Sequence, residues 1–202
     1  MKTLLATLLA VSLSLSCFSQ SFISSAQLGA ASLQGTAVSG GSCATTQDSN
    51  VGYQIGLYYG IGYNAAATYF AAPFTAGASY TSCQVSVYLQ KVSSPTSTIY
   101  VAVYADSGSG PGTLLGTSAG ISAAGLSTSV AAVPFTVTSA ISSGSVYYVS
   151  VYTVNGNADY ANYVRVLPAS GIVSQSSYLS SNGSAWTVYG GYNCFAGTFM
   201  SP

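Results

Sequence analysis

The chain has 202 residues, of which 49% are hydrophobic and only 3% charged, and it contains no histidine and no glutamate. Ordinary soluble domains carry roughly 25% charged residues, so solubility here falls to Ser, Thr, Asn, Gln, Gly and the hydroxyls of 17 tyrosines. A phosphate-binding surface needs clustered Lys and Arg. Past the first 19 residues only Lys91 and Arg165 are available, which excludes nucleic acid as a partner. Those two cations against Asp48, Asp106 and Asp159 leave a net charge of −1, so close association between copies meets little electrostatic resistance.

Residues 1–19 open with a positive Lys2, run apolar from Leu4 to Val11 and on through Leu13 and Leu15, and end in small residues. That is the pattern of a secretory signal peptide, too short and wrongly flanked to span a membrane. Cleavage after Ser19 makes Gln20 the new terminus, with cleavage after Ala26 the second choice. The run Leu13-Ser14-Leu15-Ser16 before Cys17 approaches a lipoprotein signal, but Ser14 stands where an aliphatic residue is usual; lipidation of Cys17 is the lesser alternative. No later apolar run reaches the ~20 residues of a membrane span. The expected location is therefore extracellular or at the cell surface, and about 180 residues remain, enough for one core.

The segment from Gln20 to Asn50 is rich in Ser, Ala and Gly and weakly patterned, which predicts a flexible leader to a domain over 51–202. A sharper alternative makes it an arm that adds a strand to the sheet edge of a second copy. Ala67 to Phe74 reads as the first strand, with Pro73 marking its end or a sheet edge. Next, Cys83, Val85, Val87 and Leu89 alternate with Gln84, Ser86, Tyr88 and Gln90, the period of a strand with one buried face. Ile99, Val101 and Val103 alternate likewise with Tyr100, Ala102 and Tyr104, and Ser93 to Ser97 between the two suits a hairpin with a wide loop.

Asp106-Ser-Gly-Ser-Gly-Pro-Gly112 is a turn, followed by strands at Thr113–Thr117 and Val130–Val137. Val146–Val154 is β-branched and aromatic on both faces, as the central strand of a sheet would be. Tyr163–Leu167 is a shorter strand suited to an edge, and Trp186–Tyr189 and Cys194–Met200 close the domain. Many short strands separated by turns and almost no helix predict an all-β, antiparallel β-sandwich of a single domain.

The run VSVYLQKVSSPTSTIYVAVYADSGSGPGTLLGTS at 85–118, followed by AAVPFTV and SSGSVYYVSVYT, resembles the choice-of-anchor β-sandwich domains of bacterial exported proteins. The shared elements are a strand ending in Tyr-x-Asp, a glycine-rich loop with Pro-Gly, and a later Gly-x-x-Tyr-Tyr strand, over roughly residues 65–200. The resemblance implies a jelly-roll-like sandwich that serves as an accessory, display or carbohydrate-binding unit. It says little about activity. Such proteins typically carry a C-terminal anchoring tail, which the run Thr198–Pro202 does not resemble.

Without histidine, nothing obvious activates a serine or cysteine, and the three Asp lie in separate segments, so no enzyme is expected. Asp106 is the candidate metal ligand, for a structural Ca²⁺, against the plainer role of pinning its turn by accepting backbone N–H bonds. No other cofactor is implied. Cys43, Cys83 and Cys194 follow the leader, an odd number in a compartment where disulfides form. Cys43 with Cys194 is the expected bridge, Cys83 being a buried thiol on its apolar face, and Cys83 with Cys194 stands close behind. Tyr88, Tyr100, Tyr104, Tyr160 and Tyr163 point off the aliphatic faces or lie in polar segments. They form the candidate binding surface for a glycan or a surface protein.

Overall fold

The structure, a computed structural model, describes residues 43–50, 57–65, 68–154, 160–169, 176–189 and 195–202. The leader, residues 20–42, Asp159 and Cys194 lie outside the described residues.

Two antiparallel sheets pack face to face. The first contains β1 (Thr45–Asn50), β2 (Tyr59–Ile61), β4 (Tyr80–Val92), β8 (Ala131–Ile141), β10 (Tyr163–Val166) and β13 (Gly197–Ser201). β4 is its spine: β8 runs along one side, β13 and β10 lie end to end along the other, and β1 and β2 border those two. The second sheet contains β3 (Tyr69–Thr75), β5 (Thr98–Asp106), β6 (Pro111–Thr117), β7 (Ile121–Ser122), β9 (Val146–Val154), β11 (Ser177–Ser180) and β12 (Thr187–Tyr189). β9 is central, between β3 and β5, as its two-sided apolar pattern predicts. Most connections pass from one sheet to the other, as in a jelly roll.

The alternation read from the sequence sets what lies between the sheets. Val85, Val87 and Leu89 of β4, Ile99, Val101 and Val103 of β5, Phe135 and Val137 of β8, and Tyr147, Val149 and Val151 of β9 all join one core with Phe70, Phe74 and Phe199. Because side chains alternate along a strand, the opposite residues of β3, β5 and β9 must face outward. That outer face carries a second apolar layer of Ala71, Ala102, Tyr104, Tyr148 and Tyr178, with Tyr152 and Trp186 packed against it.

Several expectations are corrected. β4 and β5 belong to different sheets, so Ser93–Ser97 is a crossover; the hairpin is β5–β6, turning at Asp106–Pro111. β10 lies between β4 and β2, inside its sheet. Pro73 is interior to β3 but sits beyond the end of β11, where its carbonyl accepts the Phe195 N–H at 2.9 Å. The sandwich also starts before residue 51: β1 pairs with β13, and Asp48 is buried there, accepting bonds from Gly77 N–H (3.0 Å) and the Tyr80 hydroxyl (2.6 Å). The described part of the Gln20–Asn50 segment is thus used within its own chain.

The disulfide joins Cys43 to Cys83, with Cα atoms 5.8 Å apart, and not to Cys194. The reason is a slip in register. β4 shifts by one residue against β8 between Ser82 and Gln84, so Ser82 turns inward and Cys83 is left half-buried beside the start of β1. There Ser82 Oγ donates to the Val137 carbonyl at 2.9 Å.

Candidate functional site

The outer face of the second sheet is organised in rows. Tyr69 of β3, Tyr152 of β9 and Tyr100 of β5 stand opposite one another, followed by Ala71, Ser150 and Ala102, then by Pro73, Tyr148 and Tyr104. A row of small residues thus separates two rows that carry large rings. In the first row the rings stack nearly parallel, Tyr69 on Tyr152 at 4.4 Å and Tyr152 on Tyr100 at 5.1 Å between centroids. Cross-strand aromatic pairs of this kind each stabilise a sheet by about 0.2–1 kcal/mol.

The stack is closed at both ends by glycine. Gly183, beyond β11, approaches Tyr69 so closely that a Cβ would sit 2.8 Å from its ring, and Gly120, beside β7, would place a Cβ 2.6 Å from the ring of Tyr100. β11 and β7 border β3 and β5 on the sides away from β9. Both faces of Tyr152 are therefore covered by rings, and Tyr69 and Tyr100 each have one face on Tyr152 and a glycine pressed against the ring.

The loop between β11 and β12 forms one wall. Its sequence Ser180-Ser-Asn-Gly-Ser-Ala-Trp186 folds on itself: Asn182 Oδ1 accepts N–H bonds from Ser184 (2.9 Å) and Ala185 (3.0 Å), and Ser180 Oγ accepts one from Gly183 (2.9 Å). Thr68 Oγ1 ties it to β3 through the Ser181 carbonyl at 3.0 Å. Gly183 adopts φ +73°, open to glycine at little cost, and this seats the loop on Tyr69. Trp186 is thereby held edge to face against Tyr104 (5.4 Å, 79°) and Tyr69 (6.2 Å, 90°).

Between this loop and β6 lies an open groove of about 490 Å³, lined by Tyr69, Tyr104, Tyr152 and Trp186 with Ala102, Gly112, Leu114, Thr117, Asn182, Gly183 and Ser184. Among the described residues no Asp, Lys or Arg lines it. The Tyr152 hydroxyl shares a bond with Thr117 Oγ1 at 3.1 Å. Burial, and then the neighbouring phenols Tyr69 and Tyr152, push Tyr104 up to about 12. Tyr69 is likewise raised by burial and by Tyr152. The hydroxyls stay protonated and can both donate and accept.

The five tyrosines singled out from the sequence do not form one surface. Tyr100 and Tyr104 belong to this face. Tyr88 lies on β4 of the first sheet, opposite Ala132. Tyr160 and Tyr163 gather at the far end of that sheet with Tyr63, at 4.3 and 5.4 Å from it, beside Arg165, which lies over Tyr58 at 4.0 Å. Tyr69, Tyr152, Asn182 and the lone Trp186 were not singled out. The Ser-Asn-Gly-Ser turn before the single tryptophan is the signal that marks that wall.

Asp106 takes the turn-pinning role: its carboxylate accepts the Gly108 N–H at 3.0 Å. Among the described residues no three His, Cys, Asp or Glu side chains come together to hold a metal ion, and no helix is long and apolar enough to cross a membrane. No protein-family model, no curated protein and no solved structure matches this chain.

Proposed function

We propose that the chain is an exported, non-catalytic binding module whose groove, between β6 and the Ser180–Trp186 loop, takes a glycan. The observation that carries this reading is the groove's make-up: tyrosine and threonine hydroxyls, an asparagine amide and one tryptophan, without a carboxylate or a cation among the described residues. Sugars present hydroxyls at their edges and C–H groups on their faces, and a wall of phenols beside an indole answers both. The loop is held by its own hydrogen bonds before any ligand arrives, which lowers the ordering cost of binding. Export agrees with the leader-like first 19 residues and with a disulfide, which persists in oxidising compartments.

The test is a broad glycan array probed with the wild-type chain and with Trp186→Ala. Binding to a coherent group of glycans, lost on removing Trp186, supports the module. Signals at background for both proteins would sink it.

A further inference from the structure

The groove also carries information about which glycan it takes, and how. The inference rests on the binding-module reading above and narrows it. We propose that the groove, at about 490 Å³, grips roughly two or three units of an uncharged, hydroxyl-rich chain by hydrogen bonds from phenol edges, not by stacking sugars on tyrosine faces.

The stacking mode is closed off by geometry. Tyr152 has a ring on each face, Tyr69 at 4.4 Å and Tyr100 at 5.1 Å. Tyr69 and Tyr100 each give one face to Tyr152, and Gly183 and Gly120 press against their rings so closely that a Cβ would lie 2.8 and 2.6 Å from them, which crowds the approach of a pyranose. What remains is a set of hydroxyls, those of Tyr69, Tyr104 and Tyr152 beside Thr117 Oγ1, each able to give one bond and accept others as a sugar hydroxyl does. Trp186 meets its tyrosine neighbours edge to face, and Leu114, 52% exposed, lies on the opposite wall. These two supply the apolar contact for the C–H side of a sugar ring.

Charge decides the rest. A carboxylate or sulfate entering the groove would give up its hydration shell with no Lys or Arg among the described lining residues to replace it. A neutral hydroxyl exchanges one hydrogen bond for another at little cost. The Tyr104 phenol, held up to about 12 by burial and its neighbours, stays a donor across the physiological range.

The experiment is titration calorimetry of the wild-type chain with neutral hexose oligosaccharides and with uronate oligosaccharides of matching linkage, repeated with Tyr152→Phe and Thr117→Val. Tyr152→Phe keeps the ring and its stack and removes only the hydroxyl; Thr117→Val removes the partner hydroxyl at the surface. The expected result is binding of neutral chains, at least about tenfold weaker binding of uronates, and a loss of about 2- to 10-fold for each variant with an unchanged urea midpoint. Uronates bound as tightly as neutral chains, or both variants binding like wild type, would overturn this inference and leave the module standing. If no saccharide binds the wild-type chain, the module reading itself fails.

Discussion

Removing both Cys43 and Cys83 as serines tests how the N-terminal edge is secured. The bridge closes a loop of 40 residues in sequence, and the chain-entropy relation gives about 4 kcal/mol of stabilisation for a loop of that length at 25 °C. The cross-link ties β1 to β4 directly; otherwise β1 is held by its pairing with β13 and by the two bonds that Asp48 accepts. Cys43→Ser/Cys83→Ser is therefore expected to lose about 2–4 kcal/mol in urea unfolding followed by circular dichroism. At about 2–4 °C per kcal/mol for a chain of this size, that lowers the melting temperature by about 4–16 °C. Wild-type protein kept under reducing agent should fall toward the variant. Cys194→Ser should keep the cross-link, shown by peptic mapping without reduction, since no Lys or Arg lies between Cys43 and Cys83 for trypsin to cut. A double variant within about 1 kcal/mol of wild type, or a cross-link that disappears in Cys194→Ser, would refute this pairing and its energetic role.

Three further outcomes follow from the same structure. Asp48 is buried, and Asp48→Ala removes the acceptor for the Gly77 N–H and the Tyr80 hydroxyl, both in part-buried bonds, so equilibrium unfolding should show a loss of about 1–3 kcal/mol; a change under about 0.5 kcal/mol would contradict it. Ser150 is fully buried in the small-residue row and its Oγ has no hydrogen-bond partner among the described residues, so Ser150→Ala should be neutral or stabilising by about 1 kcal/mol, and a clear destabilisation would show an unseen partner. With no histidine or glutamate in the chain, the urea midpoint should stay nearly level from about pH 5 to 9. Tyr59, through burial and then Tyr189, and Tyr104 are both pushed up to about 12 in the fold. A raised folded value gives stability that is whole below the unfolded value of about 10 and is lost as pH rises through about 12. Alkaline midpoints that fall no faster for wild type than for Tyr104→Phe would argue against that burial.

The layer of the fold that alternation governs was legible from residues alone. Val85 to Leu89 and Ile99 to Val103 announce their buried face because period two has one physical meaning in a sheet, and Val146–Val154 announces its central place because both of its faces are apolar. Which strands become neighbours was not legible. Ser93–Ser97 looks like a hairpin loop, yet the chain it joins divides between two sheets, because partner choice depends on contacts made far along the sequence. The tyrosine-bearing outer face of the second sheet shows this most clearly. Tyr69, Tyr100 and Tyr152 come from separate strands and become a stack only through register, while Tyr160 and Tyr163, alike in composition and setting, fall on the other sheet. Thr45–Asn50 falls inside the stretch expected as a flexible leader because a polar edge strand has no apolar face to betray it; its one buried side chain is a carboxylate, Asp48.

Trp186 is the only tryptophan in the chain and lies in the wall of the groove, so its fluorescence, excited selectively at the red edge of the aromatic absorption, reports on that site alone. The most direct test of the account is titration of wild-type protein with a glycan hit while following this emission. The account predicts a saturable change in intensity or wavelength whose dissociation constant equals the calorimetric one, together with loss of binding in Trp186→Ala. A glycan that binds fully while the Trp186 emission stays unchanged, and that binds Trp186→Ala as well as wild type, would place recognition elsewhere on the sandwich.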